Sequence, residues 1–132
     1  MKNSSKPKLA GATYLVKDYD EAIKWFVDVL GFVVLEDTKL SNTKRWVRVA
    51  DSAGGTCLVL AKADTAKLRQ AVGQAAGGRV AFFLHTDDFS SQHAHMQQAG
   101  VVFREQPRRE VYGTVAVFED LYGNAWDLIE PR

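Results

Sequence analysis

The feature that most constrains this chain is an internal repeat. Asp18-Tyr19 through Leu30-Gly31-Phe32-Val33 is echoed by Asp88-Phe89 through Ala99-Gly100-Val101-Val102, an offset of about 70 residues with one slip inside the repeated helix. In the first copy Leu9 to Val16 reads as a strand. Asp18 is suited to cap a helix, with Glu21 three residues on as in a capping box. Tyr19, Ala22, Ile23, Phe26 and Leu30 follow at helical spacing, and Gly31 ends the run. Strands are expected at Phe32 to Glu36, Lys44 to Ala50 and Thr56 to Ala61, with a turn at Ala53-Gly54-Gly55.

In the second copy Val80 to Thr86 reads as a strand, and Asp88 caps a helix whose apolar side carries Phe89, Met96 and Ala99. Strands are expected at Val101 to Arg104, Val111 to Glu119 and Ala125 to Glu130, the last two joined by a turn at Tyr122-Gly123-Asn124. The chain therefore reads as α+β, with two tandem βαβββ modules over about residues 9–62 and 79–130. A linker, 63–78, joins them, with a short helix around Thr65 to Val72. One domain then covers 9–130, preceded by a disordered tail over 1–8.

Charge narrows the partners. Seventeen basic residues face 16 acidic ones for a net charge of +1. The densest basic run, Arg104, Arg108 and Arg109, is interrupted by Glu105 and Glu110. A broad nucleic-acid or membrane surface needs clustered basic charge, so neither partner is expected. Cys57 is the one cysteine, which excludes an intramolecular disulfide and a cysteine zinc cluster. Met1 to Lys8 is polar and basic with no apolar stretch behind it, unlike a secretory signal. No window approaches the roughly 18 apolar residues of a membrane span. A cytoplasmic location is the expectation.

Four runs carry a family resemblance: Val16-Lys17-Asp18-Tyr19-Asp20-Glu21-Ala22, Leu30-Gly31-Phe32, Thr86-Asp87-Asp88-Phe89, and Glu119-Asp120-Leu121-Tyr122-Gly123-Asn124. In this order, on a duplicated module, they resemble the vicinal oxygen chelate superfamily of glyoxalases, bleomycin-resistance proteins and extradiol dioxygenases, over about residues 9–130. The resemblance implies a cup-shaped mixed sheet, half from each module, and a homodimer. It also implies four strand positions where metal-using members place histidine or glutamine, glutamate, histidine and glutamate. Alignment puts Gly11 at the first, Leu60, Ala61 or Lys62 at the second, Ala81 at the third and Asp127 at the fourth. Only Asp127 has a ligating side chain suited to the family set, so no cofactor is expected. A divalent metal held by displaced ligands such as His85 and Asp127 is the alternative.

Strand alternation assigns faces. Val80, Phe82 and Leu84, Trp126 and Leu128, Val47 and Val49, and Val115 and Val117 are expected in the core. The cup then receives Thr13, Trp46, Arg48, Phe83, His85, Tyr112, Phe118 and Asp127, with Thr114, Ala116 and Ile129 beside them. Such a wall, aromatic with a few polar groups, suits a small-molecule pocket. An ionised Asp127 in it needs a partner: Arg48, His85, a ligand cation or water. Trp46 can stack on a planar or cationic ligand or simply fill space, and His85 can act as acid or base or sit in solvent. His93 and His95, two apart on a helix, point to different faces and do not pair as ligands. Cys57 reads as an inert buried thiol.

Three functions fit. The first is a metal-free binder of a small planar or aromatic molecule, like the bleomycin-resistance branch, although the near-neutral charge does not suit bleomycin itself. The second is a lyase, isomerase or dioxygenase using displaced ligands or a His85–Asp127 acid–base pair. The third is a structural or regulatory module whose partner is another protein.

Overall fold

The computed structural model describes residues 5–52 and 55–132. Ala53 and Gly54 of the expected turn, and the first four residues of the expected tail, lie outside them. The elements run β1 (Gly11–Val16), α1 (Tyr19–Leu30), β2 (Val33–Lys39), β3 (Arg45–Ala50), β4 (Cys57–Lys62), α2 (Ala66–Ala71), β5 (Val80–His85), α3 (Phe89–Gln98), β6 (Arg108–Glu110), β7 (Gly113–Glu119) and β8 (Ala125–Pro131). They form two four-stranded sheets of the same design, β1-β4-β3-β2 and β5-β8-β7-β6. In each, the first strand pairs in parallel with the last and the remaining pairs are antiparallel. This is the duplicated α+β arrangement that the repeat foretold.

The helix ends follow from their capping residues. Asp18 Oδ2 accepts the Glu21 N–H at 2.8 Å, and Asp88 Oδ1 accepts that of Ser91 at 3.1 Å. Each satisfies a donor with no partner inside its helix. Gly31 closes α1 in the left-handed region at φ 71°, returning its N–H to the carbonyls of Phe26 and Val27. The linker helix α2 is capped by Thr65, whose hydroxyl accepts the Leu68 N–H at 3.1 Å.

One continuous core joins the modules. Helix α1 buries Tyr19, Ala22, Phe26 and Val29. Phe26 packs edge-on against Tyr14 with ring centroids 5.1 Å apart, and reaches Trp126 of the second sheet at 6.2 Å. Trp126 in turn contacts Phe82 at 4.6 Å and Phe118 at 5.7 Å. Each such side chain contributes about 1.5–3 kcal/mol by leaving water, so this aromatic chain is a main reason the two repeats fold together.

Two expectations are corrected. The strand placed at Val101 to Arg104 is reduced to a single bridge, Phe103 to Phe118, and the edge strand forms later, at β6. Glu105 explains the break. Its carboxylate takes the Val117 N–H at 2.9 Å, where a neighbouring strand would have supplied a carbonyl, and Pro107 has no N–H to give.

The faces of β7 are also inverted relative to the expectation. Phe118 pairs with Trp126 and Ala116 with Leu128, so these side chains join the helix-covered core, while Val115, although fully buried as expected, and Val117 lie on the other face. Phe118 is fully buried there and is not a cup residue. Period-two alternation gives two sets but not which set faces in, and a one-residue error exchanges them. Among the described residues no helix is long and apolar enough to cross a membrane.

Candidate ligand-binding site

With one face of each sheet committed to the shared core, the opposite faces collect the polar and exposed aromatic side chains. On the first sheet, register aligns Thr13, Val59, Arg48 and Glu36 in one row. Trp46 lies two residues before Arg48 on β3 and therefore on the same face. An irregularity between Val34 and Glu36 sets Glu36 opposite Arg48. One oxygen of Glu36 accepts both the Trp46 indole N–H at 3.1 Å and the Arg48 Nε–H at 3.3 Å. The indole is thus tethered while 40% of Trp46 remains exposed. Arg48 also reaches the sulfur of buried Cys57 at 3.9 Å.

On the second sheet, Phe83, Asp127 and Val117 form one row, and His85, Ile129, Val115 and Arg108 form the next. Asp127 Oδ1 is buried with no hydrogen-bond partner among the described residues. Burial pushes the Asp127 carboxyl above the usual carboxylate range. The Arg108 guanidinium opposes that shift and the Glu105 charge adds to it. Arg108 is itself neutralised by Glu105 at 2.9 Å and by Glu110. Beside this unsatisfied oxygen stands Phe83, 64% exposed despite being a large apolar side chain.

The anticipated partners of Asp127 do not reach it. Arg48 belongs to the other sheet and spends its charge on Glu36, and His85 is exposed at the end of β5 without a bond to Asp127. His85 and Phe83 instead border a cavity of about 640 Å³ whose other wall includes Phe32, Val49 and Cys57 of the first module. Thr13 is exposed on β1, and Tyr112, 49% exposed, sits in the turn between β6 and β7. The sequence-derived set therefore separates into Thr13, Trp46 and Arg48 on one sheet and Phe83, His85 and Asp127 on the other. Glu36, Glu105 and Arg108 were missed. The acidic residues interrupting the basic run were the available signal, because Glu105 and Glu110 are the partners of Arg108.

Where metal-using relatives carry ligands, the donor set of this chain does not fit an ion. A divalent cation wants several oxygen or nitrogen donors in fixed geometry. Gly11, Leu60, Ala61 and Ala81 offer no side-chain donor and Lys62 offers only an ammonium, which leaves Asp127. Among the described residues no group of three or more histidine, cysteine, aspartate or glutamate side chains is placed to share an ion. Gly11 is held small by its surroundings: a Cβ there would meet the Cys57 carbonyl oxygen at 2.9 Å and its sulfur at 3.0 Å.

Paired βαβββ modules with open, aromatic-bearing sheet faces define a class of fold that hosts both small-molecule binders and enzymes. The chain belongs to the Glyoxalase/Bleomycin resistance protein/Dioxygenase superfamily, whose family model matches residues 8–128. An uncharacterized protein of Shewanella frigidimarina (strain NCIMB 400) is 45% identical over 127 residues, covering 95% of this chain and 94% of that one. Among solved structures the fold is similar to UcmS2, at 27% identity and a TM-score of 0.81, covering 96% of this chain and 99% of that one. It is also similar to TnmS3, an antibiotic binding protein from Streptomyces sp. CB03234. There the identity is 25%, the TM-score 0.75 and the coverage 98% of this chain and 100% of that one.

Proposed function

We propose that this protein binds a small planar or aromatic molecule without the family metal, in a cup that two copies of the chain complete. One observation carries the reading: Asp127 Oδ1 is buried and has no hydrogen-bond partner among the described residues, beside the exposed ring of Phe83. An uncompensated buried acceptor is costly. A ligand N–H or O–H that reaches it recovers that cost while the ring system stacks on Phe83. Trp46, tethered by Glu36, offers a second stacking surface on the other sheet. The likeness to TnmS3 supports a role in sequestering such a molecule, and a cytoplasmic setting suits it.

The test is calorimetric titration of purified protein with a panel of planar aromatic compounds that do or do not carry a hydrogen-bond donor, alongside light scattering. The expected result is a dimer of about twice 14.7 kDa. Donor-bearing compounds should be preferred, with affinity falling about tenfold in Asp127→Asn, which is one charge-assisted bond. A monomer, or binding indifferent to both Asp127→Asn and Trp46→Ala, overturns the reading.

A second reading is catalytic. The raised pKa of Asp127 also suits a general acid or base. Turnover of a bound compound that stops in Asp127→Asn, with binding retained, would favour this lyase- or isomerase-like alternative.

A further inference from the structure

A small cleft lies where the linker after α2 meets the turn between β7 and β8. Its volume is about 100 Å³, and Gly73, Ala76, Gly78, Arg79, Arg104 and Gly123 are among the residues that border it. The linker is seated closely on the turn. A Cβ on Gly73 would strike the Tyr122 carbonyl oxygen, and the Ala75 N–H donates to Asn124 Oδ1 at 3.0 Å. The Asn124 side chain is held in turn by the buried carboxylate of Asp120, at 3.0 Å. The floor of the cleft is therefore fixed by the same bonds that fix the turn.

The groups around it are donors. Arg79 has no carboxylate within ion-pair distance among the described residues. Arg104 binds Glu119 through Nε at 2.9 Å and the Gly123 carbonyl through Nη2 at 3.3 Å, which leaves Nη1 uncommitted. The backbone N–H groups of Ala76 and Gly78 have no acceptor among the described residues. No carboxylate borders the cleft among those residues. Glu119, the one acid bonded to either arginine, lines a different cavity. Two guanidinium groups and one carboxylate leave this region net positive.

We infer that this cleft binds a tetrahedral oxyanion of the phosphate class between Arg79 and Arg104, with the Ala76 and Gly78 N–H groups beside it. The space equals that of about three waters at roughly 30 Å³ each, which admits such a group and is too small for a ring compound. Sign follows from the donors: a cation finds no carboxylate here, and a neutral molecule leaves the Arg79 charge unmatched. Guanidinium donors also suit the paired oxygens of a phosphate better than a point charge does. None of the side chains proposed for the cup borders the cleft, so the site stands whether or not that reading holds.

The test is a nuclear magnetic resonance titration of isotope-labelled protein at constant pH, with sodium phosphate, with phenyl phosphate, and with sodium chloride at matched ionic strength. Phosphate should move the Ala76 and Gly78 amides and the Arg79 side-chain N–H, saturating with a Kd of about a millimolar or below. Binding of both phosphates means that the group is accepted free or carried on a larger molecule, and binding of the free ion alone means that the cleft closes around it. Arg79→Gln, a change at an exposed position, should weaken phosphate about tenfold through the loss of one charge-assisted contact. Arg69→Gln, which removes the same charge from exposed α2 outside the cleft, should leave the affinity unchanged. Equal shifts with chloride, shifts that do not saturate, an unchanged affinity in Arg79→Gln, or an equal loss in Arg69→Gln would each overturn the inference.

Discussion

The Tyr14 hydroxyl of β1 donates to Asp120 Oδ2 at 2.7 Å, joining the first strand of one repeat to the last turn of the other across 106 residues of sequence. Asp120 is 6% exposed and its two oxygens take four further donors. These are the Trp126 indole at 2.9 Å, the Asn124 amide at 3.0 Å and the backbone N–H groups of Tyr122 and Asn124. A buried carboxylate is tolerable only when so completely bonded. The last of the four runs that carry the family resemblance is therefore a structural knot.

Tyr14→Phe removes one bond to a charged acceptor and should cost about 1.5–3 kcal/mol in urea-induced unfolding at neutral pH. Burial, and then the Asp120 charge, hold the Tyr14 hydroxyl well above the ordinary tyrosine range. In the unfolded chain it ionises near the ordinary value of about 10. The folded state then keeps a proton that the unfolded state has lost, so stability falls as pH rises above that value. The phenylalanine variant lacks this term, so its deficit should shrink between neutral pH and strongly alkaline pH. A deficit constant across that window would contradict the assignment.

Asp127→Asn should stabilise the protein, where Tyr14→Phe destabilises it. The folded carboxyl titrates above its unfolded value, chiefly because of burial. Wild-type stability therefore falls as pH rises from about 4 through the folded pKa. The amide variant escapes this loss. It should match the wild type in acid and exceed it at neutral pH, with a Tm higher by about one or two degrees. A gain in stability with a loss of ligand affinity is the pattern expected where a strained group is kept for function. Thermal scans at several pH values check it.

How much of this was legible in the sequence depends on whether the information is local. Asp18, Asp88 and Gly31 act on backbone groups within a few residues, so the helices were placed nearly to their ends. The duplication was visible because both copies repeat those same local signals. The second-sheet edge was not, because Glu105 replaces a ladder partner with a side chain, which no hydrophobic period announces. The Arg48–Asp127 pairing failed for a related reason. Face assignment says that two side chains avoid the core but not that they share a sheet, and Glu36, opposite Arg48 in register, was the nearer charge.

Gly11→His, which restores a family-type ligand at the first strand position, should fail to create a metal site. The new Cβ would lie 2.9 Å from the Cys57 carbonyl oxygen in the neighbouring parallel strand. Backbone cannot yield there without disturbing β1 against β4, and overpacking of this kind costs about 1–3 kcal/mol. Even a tolerated histidine would have only Asp127 to join it from the family positions, too few for a tight site. Chemical denaturation should show the loss of stability. Metal titration of the variant should show no gain in affinity for zinc over the wild type.

The inverted faces of β7 give the sharpest contrast between two phenylalanines of the same module. Phe118 has no exposed surface and packs against Trp126 and Phe103, whereas Phe83 is 64% exposed. Truncating the first opens a cavity inside the shared core, so Phe118→Ala should cost about 3–5 kcal/mol. Truncating the second removes little buried area, so Phe83→Ala should change stability by about 0.5 kcal/mol or less. The order reverses for binding: Phe83→Ala removes the ring beside Asp127 and should weaken a planar ligand. A mild Phe118→Leu substitution, which keeps the core filled, should leave that affinity near wild type. Urea unfolding and calorimetry on the three variants read both effects. A Phe118→Leu protein that folds normally yet loses the ligand would return Phe118 to the cup and undo the face assignment.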